Sequence, residues 1–214
     1  GGTFHRGAGG VRVRQDQGFQ TAVRYDRLGA APIDALVQAL PEVDRNTAVS
    51  ILDSAGNKGL IREGDLETIA TRLKGRRGVR KVYPWLGLVN PLAQSPFETL
   101  TRLQCLDAGL PPPVLQASVW DDRNRTVARG DLGWEREDGT WVLVDLDGRR
   151  YHEDPKALLV DRRRQNAIAL TARHTHLRFA WEDLRGGIIP LTIAQALWGA
   201  DGGQRLEGRF ADRG

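Results

Sequence analysis

The sequence predicts an α/β (α+β) fold, and three observations carry that reading. Residues 131–147, DLGWEREDGTWVLVDLD, form two β-like runs around a polar turn. From Pro32 the apolar residues recur with a helical period instead. Further on, Leu177-Arg178-Phe179-Ala180-Trp181 returns to a strand-like run. The arrangement expected is a sheet with flanking helices, preceded by a small helical region.

The hairpin sets the register of everything near it. Glu137-Asp138-Gly139 reads as a three-residue loop, with Arg136 facing Thr140 and Gly139 supplying a positive φ. Asp131 then lies opposite Asp145, and alternation puts Asp147 on the same face. The other face carries Leu132, Trp134, Val142, Val144 and Leu146, all apolar. A loop one residue shorter would send Asp131 and Asp145 to opposite faces, so the apolar set selects the longer loop. Carboxylates clustered on one face repel unless a cation compensates them. A hard divalent cation, Mg²⁺ (or Mn²⁺), is the natural candidate.

The remaining elements follow in order. Residues 1–27 are rich in Gly and Arg and begin without Met; they read either as the remnant of a truncated N-terminal domain or as a disordered arm. Residues 28–92 form a helical region. Ile33, Leu36, Val37 and Leu40 follow one helix face after Pro32. A second helix carries Ala48 to Ala55, and Asp65 is placed to cap a third. Lys74, Arg76, Arg77, Arg80 and Lys81 surround Gly75 and Gly78. A solvated face is the ordinary account of such a run, with phosphate contact the sharper alternative.

A sheet-bearing domain is expected over residues 93–200, and a tail over 201–214. Ser95-Pro96-Phe97-Glu98 is a capping box with Pro in the first turn, which by itself accounts for Glu98. Val114–Trp120 is the first strand. A helix is expected over 155–173, yet its inner face turns polar at Arg162, Arg163 and Asn166. A helix of that kind needs a polar complement, and the acidic face of the hairpin offers one to Arg162. A last short helix is expected at 193–198. His174 and His176 read as structural, with no carboxylate at metal-ligand spacing in sequence.

Composition bounds the function. The chain has 214 residues, 40% hydrophobic and 27% charged, which suits a full core and a small second domain. Its formal net charge is +4, compatible with a polyanionic partner. The single Cys105 excludes an internal disulfide framework and a cysteine-based zinc site, making a reducing cytoplasm the expected compartment. No apolar run approaches membrane-spanning length, so no membrane partner is expected.

Five segments, in order, resemble a known family: SPFETLTRLQCLDAGLPPP, ARGDLGW, VLVDLDGRRYHEDP, LLVDRRRQNAIAL and HLRFAWEDL. They are similar to the endonuclease-like domain of actinobacterial proteins related to the very-short-patch repair endonucleases. Those share the PD-(D/E)XK restriction-endonuclease-like fold, with a mixed sheet and flanking helices. Residues 32–90 resemble the connector of the same proteins, which commonly follows a winged-helix domain similar to abortive-infection-type antitoxins. The resemblance covers roughly residues 28–186.

What the resemblance implies is specific. Asp131 matches the first metal-binding aspartate and Asp145 the second acidic residue. Asp147 stands where the motif has Lys, a position such relatives often fill with Asp. Glu98 matches the acidic residue of the first helix, and His152 and Arg162 match polar positions near the site. Asp131, Asp145 and the Leu146 carbonyl would hold Mg²⁺ (or Mn²⁺). Asp147 or His152 would orient or deprotonate water, and Arg162 would stabilise charge on the phosphate. Two departures weigh the other way: Asp145 replaces a longer Glu, and Gly130 replaces a β-branched residue. The expected function is metal-dependent hydrolysis of DNA phosphodiesters. The alternative is a catalytically weak or inactive nuclease-fold protein that binds DNA as a regulator or antitoxin.

Overall fold

A computed structural model of the chain describes residues 5–6, 12–13, 20–24, 27–120, 126–147 and 174–199, with Gly202 and Leu206. The polar-centred helix expected over 155–173, with Arg162, Arg163 and Asn166, lies outside these residues, as does His152. The architecture is mixed α/β, a four-stranded mixed sheet with flanking helices, preceded by a small helical region.

Two small antiparallel pairs come first: His5–Arg6 (β1) with Arg12–Val13 (β2), and Thr21–Arg24 (β3) with Arg27–Ala30 (β4). Helices then follow from local signals. Pro32–Ala39 (α1) has Pro in its first turn, where a missing N–H is not needed. Arg45–Asn57 (α2) is capped by Asp44, which accepts the Thr47 N–H at 3.0 Å and the Thr47 hydroxyl at 2.7 Å. Asp65–Leu73 (α3) has Gly64 as its N-cap, not Asp65. The Asp65 carboxylate turns back to accept the Arg62 N–H at 2.8 Å. Leu36, Val37, Leu40, Leu52, Ile69 and Leu73 build one core, closed by Val79, Val82 and the short helix Tyr83–Leu86 (α4).

Pro96–Ala108 (α5) opens on a variant of the expected capping box, in which Glu98 reaches the Gln94 N–H in place of the Ser95 N–H. The Glu98 N–H donates to Ser95 Oγ at 3.2 Å, while the Glu98 carboxylate accepts the Ser95 hydroxyl and the Gln94 N–H, each at 2.9 Å. The sheet runs in the order Val114–Trp120 (β5), Thr126–Glu135 (β6), Trp141–Asp147 (β7), His174–Ala180 (β8). The first three strands form an antiparallel meander and β8 is parallel to β7. Strand β8 begins at His174, three residues earlier than its apolar run suggests, because it pairs with the whole of β7. The helix Ile188–Trp198 (α6) likewise begins before residue 193. One face of the sheet packs on α5 and α6 through Phe97, Cys105, Leu132, Trp134, Val144 and Ile193. Leu206 is buried in that same core, so the segment expected as a tail contributes to packing there. The opposite face carries a smaller cluster of Ala117, Val119, Ala128 and Leu143. No helix among the described residues is long and apolar enough to cross a membrane.

Buried charge joins the helical region to the sheet. Asp53 on α2 is 1% exposed and accepts the Asn90 N–H at 2.7 Å, the Thr99 hydroxyl at 2.8 Å and Arg102 Nη2 at 2.9 Å. Burial pushes its carboxyl up from the usual range, against the pull of the Asn90 N–H, Arg102 and Thr99. Arg45 and Asp107 add a two-pronged pair between the same helices, at 2.9 Å for each contact. Within the helical region, Asp34 pairs with Arg72, whose hydrogen bond holds that carboxyl below its usual range despite burial.

Two outcomes follow. Asp53→Ala or Arg102→Ala strands a buried charge and should cost about 3–5 kcal/mol in urea unfolding, whereas replacing both by apolar residues should cost less than either alone. Asp34 gives a pH effect of definite sign. Its folded pKa lies below the unfolded one, so its contribution is complete above the ordinary carboxylate range and disappears as pH falls through the depressed value. Asp34→Asn should therefore flatten that part of the acid limb of a stability–pH curve.

Candidate functional site

The hairpin of β6 and β7 has the register that its pattern predicts. Leu132 pairs with Val144, Gly133 with Leu143, Trp134 with Val142 and Glu135 with Trp141. Arg136 N–H donates to the Thr140 carbonyl at 2.7 Å, and Gly139, at φ +75°, closes the loop. Asp131 and Asp145 are the next positions along the two strands, just past the last ladder pair, Leu132 with Val144.

The ladder stops there for a local reason. At Gly130 a Cβ would lie 3.0 Å from the Val144 carbonyl oxygen and 3.1 Å from that of Leu132. A β-branched residue has no room, and β6 makes its close approach to β7 because the position is glycine. On the other side, Gln116 of β5 adopts φ +52°, between the pairs Leu115–Leu132 and Ala117–Gly130. Both strands are thus irregular at the level of Asp131. Regular alternation from Arg136–Thr140 would give the Leu146 N–H to the Gly130 carbonyl. Instead Asp131 Oδ2 accepts it at 2.8 Å. The Asp131 carboxylate lies in the ladder and completes it, where simple alternation would stand it off the face beside Asp145.

Asp145 is buried, and its charge is answered from β8. In the parallel register Asp145 pairs with Arg178, and its Oδ2 lies 3.2 Å from His176 Nε2 and 3.8 Å from Arg178 Nε. Neither nitrogen is aligned as a hydrogen-bond donor to it, so Arg178 meets it as a nearby charge and His176 as a close ring. Asp147 ends β7, exposed and paired in register with Ala180. Glu98 does more than cap α5. Its Oε2 also accepts Gln116 Nε2 at 2.9 Å, and Gln116 Oε1 accepts Arg129 Nη2 at 2.7 Å. Glu98 therefore reaches the sheet at the irregular residue of β5 that flanks Asp131.

Sequence reasoning misses His176, Arg178, Gln116 and Arg129. In sequence His176 reads as structural for want of a carboxylate, and the parallel pairing supplies one in Asp145. The alternation His174-x-His176-x-Arg178 is the available signal, since it places three basic or ring side chains on one strand face. His174 does keep a structural role: its Nδ1 accepts the Trp141 N–H at 3.3 Å. His152 and Arg162 lie outside the described residues.

Two carboxylates and a backbone carbonyl are hard oxygen donors of the kind Mg²⁺ takes. Their arrangement here is set by other partners: the Leu146 N–H for Asp131, and His176 and Arg178 for Asp145. Among the described residues no group of three or more His, Cys, Asp or Glu side chains is disposed to hold a metal ion. The donor types fit a hard cation, which would have to draw Asp145 from its β8 partners.

No protein-family model matches the chain, and no solved structure does. The chain is similar to two uncharacterized proteins of Mycobacterium tuberculosis, from different strains, each 26% identical over 155 residues. The match covers 72% of this chain and 56% of each relative, so the chain spans little more than half the length of the relatives it matches.

The ladder role of Asp131 makes a prediction independent of any activity. Asp131→Ala leaves the Leu146 N–H without its acceptor and should cost about 1–3 kcal/mol. Asp131→Asn keeps a carbonyl acceptor there and should unfold near the wild-type midpoint in the same urea titration.

Proposed function

We propose that the chain carries a restriction-endonuclease-like domain that hydrolyses DNA phosphodiester bonds with the help of a divalent cation. The observation that carries this reading is the placement of Asp131 and Asp145 on neighbouring strands, where β6 breaks from the β7 ladder. Three further features support it. The mixed sheet with flanking helices, preceded by a small helical region, is the architecture the family resemblance implies. Glu98 is joined through Gln116 to the flank of Asp131. Gly130, a departure from the family resembled, has a steric reason in the close passage of β6 along β7.

In this reading Asp131, Asp145 and the Leu146 carbonyl hold Mg²⁺ (or Mn²⁺). Bound there, the cation supplies Lewis-acid polarisation of a phosphoryl oxygen. Asp147, exposed at the end of β7, orients the attacking water. Asp131 keeps β7 in register while it binds, because the same carboxylate holds the Leu146 N–H. Glu98 fixes the start of α5 against β5. His152 and Arg162 retain the roles that the resemblance implies for them.

A second reading has its own support. Asp145 already has the Arg178 guanidinium and the His176 ring beside it, and it stands where the family resembled carries a longer Glu. That favours a nuclease-fold protein that binds DNA without cutting it, as a regulator or antitoxin would.

Nicking of supercoiled plasmid by the full chain separates the two. The first reading expects relaxation in Mg²⁺ or Mn²⁺, none in EDTA, and a loss of about 100-fold or more in Asp145→Asn, the scale of removing an electrostatic catalytic group. Plasmid that is bound and shifted in gels but stays supercoiled in every metal decides for the second.

A further inference from the structure

The most basic stretch of the chain belongs to the helical region and not to the acidic strands. Between Glu67 and Glu98 there is no Asp or Glu, while Arg72, Lys74, Arg76, Arg77, Arg80 and Lys81 all fall in that interval. Six positive charges there exceed the net +4 of the entire chain. Arg72 is committed to Asp34, and Lys81 donates to the Val43 carbonyl at 3.0 Å with its Nζ 5.5 Å from the Trp85 ring centre. Among the described residues neither Arg77 nor Arg80 has a carboxylate partner.

The turn that displays them is built, not loose. Its first bend is closed by the Arg76 N–H on the Leu73 carbonyl at 3.1 Å. Gly75 and Gly78 take φ +78° and +81°, conformations that L side chains rarely adopt. Val79 is then buried in the helical core, which anchors the far side of the turn. Gly75, Arg76, Gly78, Val79, Arg80 and Lys81 line a concavity of about 520 Å³.

We propose that this turn, residues 74–81, is a contact site for the phosphodiester backbone of a nucleic acid, separate from the β6–β7 site and independent of metal. Guanidinium groups suit the choice, since their planar forks match phosphate oxygens. An anionic bilayer suits it less. Peripheral membrane segments insert an apolar face beside their basic one, and here Val79 and Val82 are turned into the core.

The test is binding of a fluorescein-labelled 20-base-pair duplex to the full chain in EDTA, followed by anisotropy from 50 to 200 mM salt. EDTA keeps the outcome apart from cleavage, so this proposal and the hydrolytic one fail separately. Wild type should bind with an affinity that falls steeply with salt. Arg77→Ala with Arg80→Ala should weaken binding about tenfold at low salt and reduce the salt slope by about 0.9 for each phosphate no longer neutralised. Arg77→Lys with Arg80→Lys, which keeps the charge, should recover most of that slope. Lys58→Ala with Arg62→Ala removes the same charge elsewhere and should leave the slope nearly unchanged. The proposal is overturned by wild type that binds no duplex, or by alanine variants at the turn that bind as wild type does. Equal weakening in both alanine pairs, or capture by phosphatidylserine vesicles in place of duplex, overturns it too.

Discussion

Asp53 is the residue on which the relation between the two halves of the chain depends. Its carboxylate is almost wholly removed from water and takes a backbone N–H, a hydroxyl and a guanidinium from the segment spanning residues 90–102. A buried carboxylate without such partners costs several kcal/mol, so the segment cannot drift from α2 without exposing or stranding the charge. That constraint reaches the candidate site. Thr99 and Arg102 lie on α5, one to four residues beyond Glu98, so holding them also holds the carboxylate that meets Gln116 on β5.

The acids near the site are mainly neutralised by the fold itself, and differently at each position. Asp131 stands in for a missing ladder acceptor, Asp145 faces a ring and a guanidinium on the parallel strand, and Glu98 collects N–H and O–H donors at a helix start. The expectation that clustered carboxylates must wait for a cation assumes they face one another. In fact Asp131 and Glu98 turn toward donors of their own and Asp145 lies beside the Arg178 guanidinium, so part of the repulsion is answered within the fold.

How much of this is legible follows from the distance between partners in sequence. The hairpin register is readable because period-two alternation and Gly139 are both local, and the Ser95–Glu98 box is readable for the same reason. Asp53 is not, since its partners Asn90 and Arg102 lie 37 and 49 residues away. Nor is the contact of Asp145 with His176 and Arg178, which depends on a parallel register across residues 148–173. No local pattern specifies such a register; an antiparallel turn does, through its length. Gly130 is visible as a departure, but its cause, the absence of room against Val144, exists only once β6 and β7 are packed together.

The same placement limits how a cation can act at this site. Asp131 cannot leave the Leu146 N–H without opening a backbone group to solvent or leaving it unsatisfied, so it can contribute to a ligand sphere only while remaining in the ladder. The neighbours of Asp145 are side chains on β8, the His176 ring at 3.2 Å and the Arg178 guanidinium at 3.8 Å. Any cation that binds therefore exchanges with His176 and Arg178 at Asp145 rather than adding to an unbalanced pair of acids. The electrostatic gain from binding is the difference between two compensated states, which is smaller than the attraction of a bare cluster and depends on what Arg178 meets after it moves.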